Sequence, residues 1–410
     1  MGASMSIGGL LTKGFLAPAL ANDQIADEID SRLGTFAALW IGVVGVIAYM
    51  FLPLVVGGLA DEYGFSNEQL GFIGAAEAGG MGLANALAVF WMRRANWRAV
   101  IVLSALGMIA ANLVSIAISD FEAMFLARLL DGLAGGTLIA ISVACQSDNK
   151  NADRVFGYFI ALEMLTSALG FLILPGVVEG FGVNGVFVAL TALSVSGLAC
   201  ALFHPRRGLD RKQSISGRKE GGASLSISII ALVGALLFFM SQGGLWTFIE
   251  RIAVASKLDS QWIGYALSFS SLCGIVGALG AKRVVDLVGQ LNAFLFVLVG
   301  EMVAIFLLFG EVGPTQYFVA VSLFIFFWSM GLPLLLTQFN DIDGAGHLVV
   351  LLYAMGKLGY TLGPAAMGLM VIGGDFTDVL IFGAVICAAG LGISIGLAIR
   401  TKASGRVATT

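Results

Sequence analysis

The chain has 410 residues and a formal net charge of -4; 58% of its residues are hydrophobic and 12% charged. With a mean hydropathy of +0.95, it lies well outside the roughly 45 to 50% apolar and 25% charged of soluble domains. A soluble enzyme and a nucleic-acid binder are both excluded, and the lipid bilayer becomes the first partner to consider.

Residues 1–35 differ from the rest, mixing Gly, Ser and Ala with an acidic run from Asp23 to Asp30. Ala19-Leu-Ala21 resembles a signal-peptidase site, but the apolar run Gly14 to Leu20 is short and Lys13 sits deep within the segment. A signal peptide needs a longer core and a basic start. The region is therefore read as an uncleaved, mobile or surface-lying cytoplasmic arm.

A membrane-spanning helix needs about 20 apolar residues. On that unit, spans are predicted near 36–58, 69–91, 99–118, 122–145, 155–178 and 183–203, and again near 226–249, 261–281, 291–310, 315–338, 347–372 and 377–399. The fold class is all-α, with two six-helix bundles at 36–203 and 225–399, a basic linker at 204–224 and a tail at 400–410. With the N-terminus inside, 18 of the 22 lysines and arginines fall in the arm, alternate loops, linker and tail. Only Arg251 and Lys257 lie in outside loops, which instead collect acids such as Asp61, Glu62 and Asp120. The bias of basic residues toward the cytoplasm thus predicts that both termini are cytoplasmic.

The two halves repeat at a shift of 193 residues. Ser66-Asn-Glu-Gln-Leu-Gly-Phe72 falls on Asp259-Ser-Gln-Trp-Ile-Gly-Tyr265, and Ala161 to Gly170 falls on Ala354 to Gly363. Weak internal symmetry of this kind is the mark of a transporter built from two related bundles.

A charge at hydrocarbon depth costs several kcal/mol, so the ionisable groups inside the spans are the candidates for function. They are Glu77 in the second span, Arg128 and Asp131 in the fourth, Glu163 in the fifth, Glu301 in the ninth and Lys357 in the eleventh. On a helix Arg128, Asp131, Gly135 and Ser142 share one face, while Gly132 and Gly136 open a groove for a neighbour. Arg128 has the donor fork for a carboxylate or phosphate; its other reading is an ion pair with Asp131, one turn away. Lys357 lies between glycines near mid-span, a long way from either surface for a snorkelling lysine. Glu77, Asp131 and Glu163 are the proton-coupling candidates, since a carboxylate that stays neutral when dry ionises when a gate admits water.

The cysteines Cys145, Cys200, Cys273 and Cys387 lie in four different spans without CxxC spacing and are read as packing residues. No metal, cofactor or catalytic motif is expected. A phosphate-binding loop and a nucleophile elbow are both missing from the sequence.

Several motifs carry a family resemblance. Arg128-Leu-Leu-Asp-Gly132 with Gly136, the Leu362-Gly-Pro-Ala-Ala-Met-Gly368 bend and Asp286-Leu-Val-Gly289 resemble signatures of the major facilitator superfamily, and Trp246-Thr-Phe-Ile-Glu-Arg251 is similar to stretches in poorly characterised bacterial members. Two departures stand beside them. The loop between spans two and three has Arg93-Arg-Ala-Asn96 where the family carries Asp-x-x-Gly, and the fifth span lacks the antiporters' closely spaced Gly-Pro pattern.

The resemblance implies a multi-pass protein of a bacterial inner membrane, complete as a monomer, whose first, fourth, seventh and tenth spans line a central cavity. On that scheme Arg128, Lys357, Tyr49, Gln242, Trp246 and Trp328 are the solute-binding candidates. A proton-coupled secondary transporter of a small organic, even aromatic, anion is the leading expectation. Efflux of lipophilic drugs or metabolites and a non-transporting receptor of the same fold are the alternatives.

Overall fold

The computed structural model describes residues 22–92, 94–209, 225–343 and 347–407. Ala19-Leu-Ala21 and the linker's basic residues from Arg211 to Lys219 lie outside them. The described chain is almost entirely helical: α1 (Asn22–Asp30), α2 (Arg32–Met50), α3 (Leu52–Tyr63), α4 (Asn67–Trp91), α5 (Trp97–Ala117), α6 (Phe121–Asp148), α7 (Ala152–Cys200), α8 (Leu225–Ala255), α9 (Ser260–Phe306), α10 (Pro314–Ile342), α11 (His347–Gly368) and α12 (Thr377–Val407).

Turn chemistry sets the boundaries. Asp120 and Asp259 cap α6 and α9 by accepting from the Ala123 and Trp262 amides, at 2.9 and 3.0 Å. Asn96 does the same for α5 from Arg98. The first predicted span is broken at Phe51, where Pro53 in the first turn of α3 restarts the helix. The long helices α7 and α9 each contain two predicted spans, divided at Gly182 (φ 64°) and Gly289 (φ 80°). Left-handed backbone of this kind costs a side-chain-bearing residue energy and glycine almost none. The glycine of Asp286-Leu-Val-Gly289 thus turns the chain between the eighth and ninth spans.

Nine of the described helical stretches are long and apolar enough to cross a bilayer. Two of these are the double helices α7 and α9, and α11 carries the eleventh predicted span, so the architecture is consistent with twelve spans. The fold is an all-α multi-pass membrane protein.

Contacts divide the chain into two compact units, each assembled from three segments. The first comprises Met1–Tyr49, Gly80–Glu163 and Phe187–Ser214; the second comprises Met50–Gly79, Met164–Val186 and Ile215–Thr410. In the first unit, residues 22–30 of the expected arm form a docked amphipathic helix. Ile25 and Ile29, one turn apart, are buried in the core beside Trp97, Leu138 and Cys145. The Ile29 carbonyl accepts from Asn149 at 3.2 Å and the Asp30 carboxylate from the Lys150 amide at 3.0 Å. The surrounding acidic residues masked this short i, i+4 apolar stripe in the sequence. The second unit is built around α8, which packs against α11, α12 and α3.

Candidate solute site and gate

In the first unit, Arg128 and Asp131 are both buried and belong to a closed polar network. One Arg128 amino group donates to Asn112 Oδ1 at 3.0 Å and Ser115 Oγ at 2.8 Å, while the other stands 3.8 Å from the Asp131 carboxylate. Asn112 closes the ring by donating its own amide to Asp131 at 2.8 Å. The guanidinium also lies 4.9 Å from the centre of the Phe187 ring. Arg128 therefore faces α5 and the second part of α7, and its fork is shared among side chains of its own unit. Tyr49 is buried in this unit as well, and Glu163 is half-buried on α7.

The second unit brings other predicted residues together. Starting from Phe51, aromatic rings make successive contacts: Phe51 to Phe171 at 5.4 Å, Phe171 to Trp246 at 5.8 Å, Trp246 to Trp328 at 5.8 Å, and Trp328 to Tyr360 at 5.9 Å between centroids. Phe239 meets the other side of Tyr360 at 5.3 Å. The Trp328 indole donates to the Tyr360 hydroxyl at 3.0 Å, fixing both rings. All of these ring contacts but the tilted Trp246–Trp328 pair are edge-to-face, and contacts of that kind are each worth about 0.5–1.5 kcal/mol beyond area burial. Five predicted spans, the first, fifth, seventh, tenth and eleventh, contribute to this ladder. Trp246 and Trp328 were singled out in the sequence; Phe171 and Tyr360 were not.

Lys357 is half-buried on α11, one turn before Tyr360 and Thr361. A Cβ added at Gly79 would lie 3.2 Å from Thr361, and one at Gly74 3.2 Å from Pro364. Numbers rise along α4 as they fall along α11, so the helices cross antiparallel. Lys357 continues the α11 face formed by Thr361, Pro364 and Gly368. Glu77 is buried on the α4 segment of that crossing.

Gln242 points elsewhere. It is fully buried, its amide nitrogen 3.8 Å from Cys387 Sγ, and the Glu301 carboxyl lies beside it. Glu301 is equally buried, so α8, α9 and α12 share a polar contact within the bundle core.

An ion-pair cluster lies at the end of this unit next to the 64–66 and 256–259 turns. Arg251 Nη1 donates to Asp61 at 2.8 Å, with the Gly57 carbonyl at 3.4 Å and Glu250 Oε2 at 3.9 Å. A Cβ on Gly57 would come within 2.6 Å of the Glu250 carboxylate, so only a glycine lets that side chain lie flat on α3. The Glu62 carboxylate accepts from the Val183 amide. In the sequence Asp61 and Arg251 are charges of opposite sign in loops of the same predicted face, and that is the signal for this pair.

The repeat is visible in the contacts. A Cβ on Gly71 would strike the Pro364 carbonyl and the Gly368 backbone; one on Gly264 would strike the Phe171 carbonyl and the Pro175 ring. Each of the three partners in the second half stands 193 residues after its counterpart in the first.

Against this geometry the comparisons are plain. The sequence description of the Major Facilitator Superfamily matches residues 37–364. The chain belongs to the major facilitator superfamily. Among solved structures, the nucleoside transporter NupG superposes with a TM-score of 0.68 at 15% identity, covering 89% of this chain and 98% of that one. A single-residue variant of NupG gives 0.71 at 12% identity, covering 89% and 99%. A bacterial homologue of the human lysosomal transporter Spinster, inward-facing and unoccupied, gives 0.60 at 13% identity, covering 94% and 95%. No curated protein matches by sequence. The chain is a non-enzymatic membrane transporter that takes a small-molecule solute.

Proposed function

We propose that this superfamily member carries a small planar organic solute by proton-coupled alternating access, with the Trp246–Trp328–Tyr360 face as the solute wall and Lys357 as its cationic contact. The observation that carries the reading is the continuous aromatic ladder drawn from five spans, with Lys357 one turn from its Tyr360 end. A mostly apolar pocket with a few placed polar groups is how proteins hold aromatic ligands. Lys357 assigns the solute a negative group, which makes an aromatic carboxylate the first class to test. The description of NupG as a nucleoside transporter makes nucleosides the second.

On this reading Arg128 acts as a brace, held by Asn112, Ser115 and Asp131. Glu77 and Glu163 are the acids assigned to proton coupling, Glu77 because it lies on the helix that α11 crosses. The termini and linker face the cytoplasm of a bacterial inner membrane, and one chain supplies the whole pathway.

The test is counterflow in proteoliposomes with aromatic carboxylates and with nucleosides, at two external pH values. The reading expects flux of a carboxylate, stimulation by a proton gradient, and a loss of affinity of roughly ten-fold in Trp328→Ala, equivalent to about 1.4 kcal/mol. Lys357→Gln should abolish the preference for anions. Equal nucleoside flux in the wild type and Lys357→Gln would instead make the solute neutral, and binding without flux would make the protein a receptor.

A further inference from the structure

α4 ends in Phe90 and Trp91, a short loop leads to α5, and α6 passes behind both. Between them lies an open groove of about 490 Å³, lined by Phe90, Trp91, Arg94, Val100, Leu103 and Thr137 among others. All of it belongs to the first unit. The groove's rim is apolar and outward-facing: Phe90 is 78% exposed and Leu103 58%. Its lining is mostly apolar: besides Arg94 the polar side chains are Ser104, which is buried, and Thr137, whose hydroxyl is already donated to the Leu133 carbonyl at 2.8 Å.

In a membrane protein an exposed apolar groove is covered by lipid rather than water. The mouth of this one is chemically distinct from its walls. Arg94, exposed, follows the end of α4, where a tryptophan ring and a basic side chain mark the headgroup level. The stretch Arg93-Arg-Ala-Asn-Trp-Arg98 carries three cations and no acid. Of these, Arg98 is committed within the protein: its Nε donates to the His204 carbonyl at 2.5 Å and its guanidinium stands 3.8 Å from Glu28. Arg94 is the guanidinium at the groove, and its donor fork matches a phosphate.

We propose that this groove is a binding site for one anionic phospholipid, with an acyl chain along Val100 and Leu103 and the lipid phosphate on Arg94. Basic pockets between spans on the cytoplasmic side take anionic headgroups by this combination of charge and apolar wall. It also gives a use to the departure from the family's loop pattern. Where the family places an aspartate, this chain has cations alone, and the local potential selects a headgroup of net negative charge. The inference rests on the membrane-spanning fold and is independent of the solute assignment.

The experiment is native mass spectrometry of the purified full chain, equilibrated with equal amounts of phosphatidylglycerol and phosphatidylcholine. The wild type should retain phosphatidylglycerol in preference. Arg94→Gln should lower that retention about five-fold while leaving phosphatidylcholine unchanged. Val100→Trp, which fills the groove, should lower retention of both. Lys282→Gln, on a different basic loop, serves as the control and should change neither. Thermal unfolding of each variant establishes that it is folded. Equal retention of the two lipids by the wild type, or equal losses in Arg94→Gln and Lys282→Gln, would overturn the site in favour of diffuse charge attraction.

Discussion

Gly264 sits against the Phe171 carbonyl in the same way that Gly71 sits against the Pro364 carbonyl, 193 residues away in each partner. The caps ahead of them repeat too. The Ser66 hydroxyl accepts from the Gln69 amide at 3.2 Å, and the Asp259 carboxylate from the Trp262 amide at 3.0 Å. A helix is therefore started by the same device in each half, then brought by its first glycine onto the backbone of a helix from the other half. Both contacts lie in one compact unit, at the end carrying the Arg251–Asp61 pair.

Replacing Gly71 by alanine should test whether this contact has any slack. Alanine normally stabilises a helix by about 1 kcal/mol relative to glycine. Here the new methyl meets backbone on α11, which has no flexible end to move aside. Gly71→Ala should destabilise by roughly 1–3 kcal/mol, the usual cost of overpacking. Gly157→Ala, at a helical position with nothing within 4 Å, should have the opposite sign. Thermal unfolding of the two variants side by side decides the matter, and equal stabilisation in both would show that the α4–α11 crossing yields.

The Arg251–Asp61 pair makes a prediction of small size. Its side chains are 16% and 60% exposed, so water screens much of the attraction. Pairs of this kind contribute about 0.2–1 kcal/mol. A double-mutant cycle with Arg251→Gln and Asp61→Asn should return a coupling energy in that range, falling toward zero in 1 M salt, where the screening length is about 3 Å. A coupling near zero beside a large loss in Arg251→Gln alone would mean that Glu250 and the Gly57 carbonyl, rather than Asp61, set the strength of the contact.

Much of this was legible in the chain. Spans of apolar residues, the 193-residue repeat and the family motifs gave the helical order and the superfamily, because those depend on local composition and spacing. The buried ionisable residues were legible too, since charge within an apolar run needs no structure to be noticed. Side-chain direction was not legible. Arg128 and Gln242 lie on spans expected to line a cavity, yet Arg128 turns to Asn112 and Ser115, and Gln242 to Cys387. A helical face is fixed by its neighbours, and a single sequence does not say which neighbour each face meets. Tyr360 was missed for the same reason: its partner Trp328 is 32 residues away on another helix. The docking of α1 was hidden because only two apolar residues, Ile25 and Ile29, carry it.

Arg128 separates a bracing role from a solute-binding one by which measurement responds. Removing one member of a buried ion pair leaves the other charge uncompensated, at a cost of about 3–5 kcal/mol. Arg128→Ala should lower thermal stability by that order. Arg128→Lys keeps the charge but loses the fork that reaches Asn112 and Ser115 together, so it should recover only part of the loss. Solute affinity, measured on whatever fraction remains folded, should change little in the lysine variant. A large loss of affinity with unchanged stability would place the guanidinium at the solute instead.

His204 gives the first unit a pH dependence whose sign follows from its surroundings. The ring is fully buried after the end of α7, 5.7 Å from the Trp97 ring, with Nδ1 3.0 Å from the Pro205 carbonyl. Burial disfavours its charged form and the nearby Arg98 guanidinium adds to that, while the Pro205 bond opposes them; the outcome is a pKa lowered from 6.5 to about 4. Between those values the unfolded chain binds a proton that the folded chain refuses. The contribution of His204 to stability is therefore complete above about pH 6.5 and is lost as pH falls toward 4. At 1.36 kcal/mol per pKa unit, lowering the pH from 6.5 to 5 should cost roughly 2 kcal/mol through this residue alone. His204→Gln has no ring to protonate. It should be less stable than the wild type at pH 7.5, having lost the contact with Trp97, but its thermal stability should fall less steeply with acidification. Parallel unfolding curves at pH 7.5, 6 and 5 measure the difference between the two proteins and cancel the titration of carboxylates common to both; identical slopes would mean that the ring is protonated without opening the α5–α7 contact.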